Sequence, residues 1–81
     1  MTQKQKVLWY MQENGCITTR DAGIKLNVWD LQAIIYALKA DDFQIYDEWV
    51  ISKNKNNYKI YSLKEKNLKA YKDRLGKQLV R

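Results

Sequence analysis

The chain has 81 residues, enough for one domain with a modest core, and its formal charge of +6 favours an anionic partner. It contains no histidine and one cysteine, Cys16, which removes zinc clusters, an internal disulfide and any histidine-activated Ser52, Ser62 or thiol nucleophile. Neither a signal-peptide pattern nor an apolar run of membrane-spanning length is present, so a soluble, cytoplasmic, cofactor-free protein without catalytic equipment or a small-molecule ligand is expected.

Residues 3–13 read as a first helix, with Val7, Leu8 and Met11 on one stripe and Tyr10 beside it. Asn14-Gly15 ends it, because these residues tolerate the left-handed cap conformation. Cys16-Ile17-Thr18 reads as a short extended segment with Ile17 buried, and Cys16 as a small buried hydrophobe. Thr18 or Thr19 caps a second helix that runs to about Leu26, with Asp21 in its first turn and Ala22 and Leu26 toward the core. Gly23 weakens that helix by roughly 1 kcal/mol against alanine, so a close approach of another helix is expected there. Lys25-Leu26-Asn27 forms the turn. A third helix is expected over 28–40, where Val28, Leu31, Ile35 and Leu38 share one face, and Asp41-Asp42 ends it.

Residues 43–51 read as a strand with imperfect alternation, and 58–62 as its return, with Tyr58, Ile60 and Ser62 on one face. The polar cluster from Ser52 to Asn57 is the turn between them. From Leu63 onward the pattern is helical again, with Leu68, Tyr71, Leu75 and Leu79 as an apolar stripe opposite Lys and Arg, and Gly76 near its end. The chain then divides into a domain over 1–63 and a basic amphipathic helix over 64–81.

Helix, short strand, helix, turn, helix and hairpin, in that order, predict an α+β winged helix-turn-helix with an additional C-terminal helix. The stretch from Gln3 to Leu63 also resembles the small phage and prophage-type winged helix-turn-helix DNA-binding proteins of Gram-positive bacteria. The resemblance rests on Gln5-Lys6-Val7-Leu8, Asn14-Gly15-Cys16-Ile17-Thr18, Ala22, Leu26-Asn27-Val28, Leu31, Ile35 and Leu38. It continues through Phe43-Gln44-Ile45, Glu48-Trp49-Val50 and Lys53-Asn54. It implies a DNA-binding protein that acts as a small transcriptional regulator or an excisionase-like architectural factor. The chain departs from the family pattern at the start of the third helix, where Trp29 and Asp30 replace Thr and Arg, and at Ile34, another Arg position.

Charge is uneven: +1 over residues 1–15, −3 over 16–48 and +8 over 49–81. The wing, with Lys53, Asn54, Lys55, Asn56, Asn57 and Lys59, is therefore the leading phosphate-contacting surface for duplex DNA, continued by the basic tail. Arg20 and Lys25 flank the second helix as further phosphate candidates. Gln32, suited to a bidentate contact with adenine, joins Tyr36 and Lys39 on the exposed face of the third helix. That face is otherwise apolar and slightly acidic. Trp29, Asp30 and Ile34 are accordingly candidates for contact with a host protein, the alternative function being a phage-encoded module that inhibits or redirects such a protein, while Trp29 has two further readings, stacking on a sugar or a thymine methyl and packing against the wing. The stripe Leu68, Tyr71, Leu75 and Leu79 serves either the core of one chain or a homodimer.

Overall fold

Helix α1 spans Gln3–Asn14 and is closed at both ends by local chemistry. The Thr2 hydroxyl accepts from the Gln5 N–H at 3.2 Å, and the Gln5 amide oxygen accepts from the Thr2 N–H at 2.9 Å. This reciprocal box satisfies two N–H groups that the first turn leaves free. Gly15, at φ 88°, ends the helix and returns its N–H to the Met11 carbonyl. The computed structural model describes the backbone of residues 2–51 and 57–79 and the side chains through Arg74.

Strand β1 (Cys16–Thr18) follows, and all three residues are buried, not Ile17 alone. Helix α2 spans Thr19–Leu26; its cap is Thr18, whose hydroxyl accepts from the Asp21 N–H at 3.0 Å. Asn27 adopts the left-handed conformation at φ 57°, and the Val28 N–H closes the turn onto the Ala22 carbonyl. Helix α3 spans Leu31–Ala40 and starts three residues later than the apolar pattern suggests. The reason is Asp30: its carboxylate accepts from the Ala33 N–H at 3.3 Å, and a capping residue stands outside the helix it caps. Val28 is nonetheless buried with Leu31, Ile35 and Leu38, so the expected apolar set holds although its first member lies in the turn.

Strands β2 (Tyr46–Ile51) and β3 (Asn57–Ser62) pair antiparallel, Tyr46 opposite Ser62 and Ile51 opposite Asn57. Phe43, Gln44 and Ile45 lie before β2, because the Phe43 N–H still bonds back to the Leu38 carbonyl. Asn57, expected in the turn, is the first residue of β3. The rest of the turn cluster, Ser52 to Asn56, lies outside the described residues. β1 pairs with the other edge of β3, Ile17 opposite Tyr61, which makes β3 the central strand of a three-stranded sheet.

The sheet separates two apolar layers. On one face Val7, Tyr10, Met11, Ile17, Ala22, Val28, Leu31, Ile35, Leu38, Ile45 and Tyr61 join the first three helices. Tyr10 is buried where Leu8 was expected to be; Leu8 is half-buried. On the other face Cys16, Val50 and Ile60 are covered by Leu68 of helix α4 (Glu65–Leu79), with Tyr46, Tyr58 and Tyr71 at the margin. Of the apolar stripe on α4, Leu68 and Tyr71 thus serve the fold of the single chain. Leu75 and Leu79 have side chains outside the described residues.

Ser62, fully buried, ties α4 to the junction of α1 and β1. Its hydroxyl donates to the Gly15 carbonyl at 2.5 Å and accepts from the Lys64 N–H and the Asn67 side-chain amide, each at 3.2 Å. The Cys16 thiol donates to the Asn67 carbonyl at 3.3 Å. Its role is packing, as its sequence context suggests, and burial pushes its pKa up, partly offset by Ser62 and the Arg74 charge.

Burial also raises the phenols of Tyr61 and Tyr71, the latter further through its 3.1 Å hydrogen bond with Tyr58. All three folded-state values lie above the unfolded ones, so the folded chain keeps protons that the unfolded chain has already lost. Their contribution is complete below the ordinary thiol value of 9.0 and is lost as pH rises through the phenol value of 10.0 and beyond. The melting temperature is therefore expected to fall steadily from about pH 9 to pH 11 by circular dichroism. A flat profile would contradict these burials.

Candidate nucleic-acid interface

The outward face of α3 carries Gln32, Ala33, Tyr36 and Lys39, all exposed, and Trp29 stands just before its cap. Ile34 is half-buried and packs against the core. Asp30 spends its charge on the helix N-terminus, where an anion is favoured. Of the three residues proposed for a protein-binding surface, Ile34 is thus packed on the core, whereas Asp30 stays exposed while it caps the helix.

The same quenching extends through the acidic middle of the sequence. Asp41 pairs with Lys4 across from α1. Asp47 pairs with Lys59 at 3.3 Å, and Glu48 with Lys72 at 2.8 Å. Together with Asp30, four of the six acidic residues between Cys16 and Glu48 have a partner. Exposed pairs of this kind contribute little to stability, at most about 1 kcal/mol each. They place a lysine beside Asp41 at the end of α3 and beside Asp47 on the wing, while the Glu48–Lys72 pair lies on the α4 side.

The wing has two faces fixed by its register. Tyr46, Glu48 and Val50 point toward α4, and Asp47, Trp49 and Ile51 point the other way. Opposite them on β3 stand Tyr61, Lys59 and Asn57. The Lys59 ammonium lies 5.5 Å from the centre of the Trp49 ring, a cation–π geometry. Trp49 and Ile51 are strongly exposed. Tyr61 of β3 joins the core layer that also holds Leu31, Ile35 and Leu38 of α3, and the charges of Lys59 and Asp47 and the Tyr36 phenol influence its hydroxyl through space.

Arg20 is exposed in the first turn of α2. Lys25, in the last turn, is tied inward: its ammonium donates to the Tyr10 hydroxyl at 3.2 Å, which raises its pKa, and sits 5.7 Å from that ring. It belongs more to the α1–α2 contact than to a free cationic surface. Lys53, Asn54, Lys55 and Asn56 lie outside the described residues. The basic tail is mixed at its start, because Lys66, Lys69 and Lys72 line a groove together with Glu48, Glu65 and Asp73.

Two features were missed in the sequence. Trp29 is 71 % exposed yet fixed: its indole N–H donates to the Asn27 side-chain oxygen at 3.0 Å, and its ring rests on Gly23. A Cβ at residue 23 would stand 2.4 Å from the ring, so the glycine expected to admit another helix admits this side chain instead. The Asp30 cap did carry a signal, an aspartate three residues before Ala33 at the head of an apolar run, but the earlier apolar Val28 masked it.

A three-helix unit with a turn between α2 and α3, followed by a two-stranded wing, defines a helix-turn-helix protein of the winged class. The family model described as a winged helix-turn-helix domain matches residues 2–66, and the chain belongs to that family. Its fold is a DNA-binding, non-enzymatic one. Neither the curated proteins nor the solved structures contain a match to the chain. Among the described residues no helix is long and apolar enough to cross a membrane, and no group of three or more potential ligands is placed to hold a metal ion.

Proposed function

We propose that this protein is a small phage or mobile-element DNA-binding protein, a transcriptional regulator or excisionase-like architectural factor that grips duplex DNA chiefly through its wing and basic tail. The observation that supports this reading is the winged helix-turn-helix fold itself, with an exposed α3 face carrying Gln32, Tyr36 and Lys39 and a wing that presents Lys59 over Trp49. With α3 in the major groove, the wing then falls on the neighbouring backbone, the arrangement that helix-turn-helix docking requires. Arg20 and Lys39 supply phosphate contacts beside α3, and Lys53, Lys55 and Lys59 supply them from the wing. Gln32 and Tyr36 face the bases.

Contacts of this kind release condensed counterions, so affinity depends steeply on salt. Five such cations predict a slope of about −4 to −5 in a plot of log affinity against log salt concentration. Fluorescence anisotropy on a labelled duplex, titrated over salt, measures it. Absence of duplex binding, or a slope near zero, would overturn the reading.

A further inference from the structure

Trp29 combines two properties that folding alone does not require together. It is the most exposed of the three tryptophans, and its conformation is fixed from two sides. Its N–H is held by Asn27, and carbons of its six-membered ring lie 2.4, 2.7 and 3.0 Å from where a side chain at residue 23 would begin. Glycine is the poorest helix former after proline, yet it occupies the middle of α2, where it leaves room for an aromatic ring that remains largely in water. An immobilised exposed side chain gains little for the fold but lowers the ordering cost of binding a ligand.

Because Asn27 takes the indole N–H, the exposed part of the ring has no donor left to read a base acceptor. What remains is an apolar plate. It stands immediately before the Asp30 cap of α3, at the helix end whose residues meet base edges in this class of fold. The apolar group that base pairs display in the major groove is the C5-methyl of thymine. Gln32, exposed in the first turn of α3, has the chemistry for an adenine nearby.

We propose that Trp29 is a specificity residue for thymine, its ring packing on the C5-methyl group in the major groove. This rests on the DNA-binding reading above and adds to it a base and the residue that reads it.

The test starts from duplexes selected out of a random pool by the intact protein. Each thymine is then replaced in turn by deoxyuridine, which removes the methyl and keeps the polar base edge. Wild-type protein is expected to bind at least about 4-fold more weakly at one or two positions, the value of one buried carbon. Trp29→Ala loses that discrimination and binds the thymine duplex about as wild type binds the uracil one. Gly23→Ala pushes the ring off its seat, so it also loses discrimination while keeping the wild-type salt slope. A wild type indifferent to uracil at every position, with normal salt-dependent binding, overturns the thymine contact alone. Equal discrimination by wild type and Trp29→Ala overturns Trp29 as its source. Failure of wild type to bind any duplex overturns the DNA-binding reading and this inference together.

Discussion

Replacing Lys53, Lys55 and Lys59 together with alanine is expected to weaken duplex binding on the order of 100-fold at physiological salt and to flatten the salt slope by about 2.7. Each cation that meets a phosphate contributes about 0.9 to the slope, and the affinity loss follows from the same relation. Lys59 differs from the other two, because it already shares its charge with Asp47 at 3.3 Å and lies over Trp49. Its removal frees the Asp47 carboxylate beside the DNA, so repulsion adds to the lost contact. Asp47→Asn in the wild-type background is then expected to strengthen binding modestly. The fold should survive the triple change, since an exposed ion pair contributes at most about 1 kcal/mol. Anisotropy at several salt concentrations, with a thermal melt as control, checks it. An unchanged slope in a folded triple variant would remove the wing from the DNA interface.

Leu68→Ala is expected to cost about 2–5 kcal/mol, the range for truncating a buried leucine. Leu68 is 4 % exposed and closes the layer formed by Cys16, Val50 and Ile60. The sheet is too rigid to collapse fully into the space, so lost contacts and a residual cavity both contribute. For a domain of this size each 1 kcal/mol lowers the melting temperature by roughly 4–8 °C, so a drop of about 8 °C or more is expected. Urea denaturation gives the free energy directly. A change below about 1 kcal/mol would mean that α4 is an appendage, as the division at residue 63 implies, and not a wall of the core. The packing of Leu68, the Ser62 hydrogen bonds to Lys64 and Asn67 and the Tyr58–Tyr71 contact favour the larger effect.

These two expectations differ in how far they can be read from the chain itself. The lysines of the wing stand out in the sequence because charge is countable without a structure. Leu68 stands out as one member of a stripe, but whether that stripe meets a sheet or a second copy depends on what lies opposite. The apolar set Val28, Leu31, Ile35 and Leu38 was legible as a buried face, while the start of α3 was not. Apolar periodicity continues through a turn, and only the geometry of the Asp30 carboxylate shows where the helix begins. Exposure of Trp29 was also legible, but its fixed orientation was not, because the seat is a glycine six residues earlier in another helix.

By itself the sequence determined the helix-turn-helix order, the stop at Asn14-Gly15, a threonine cap at Thr18 or Thr19, the hairpin and the basic C-terminal third. These follow from capping, periodicity and charge, which act over a few residues or are simple sums. Tertiary structure alone decided that Cys16–Thr18 pairs with β3, that α4 closes the second layer and that Asp41, Asp47 and Glu48 of the acidic middle pair with lysines. It also decided that Tyr61 of the central strand joins the core layer of Leu31, Ile35 and Leu38 from α3. Each of these joins residues far apart in the chain, and their proximity is set by how the sheet and helices pack, which no local pattern encodes.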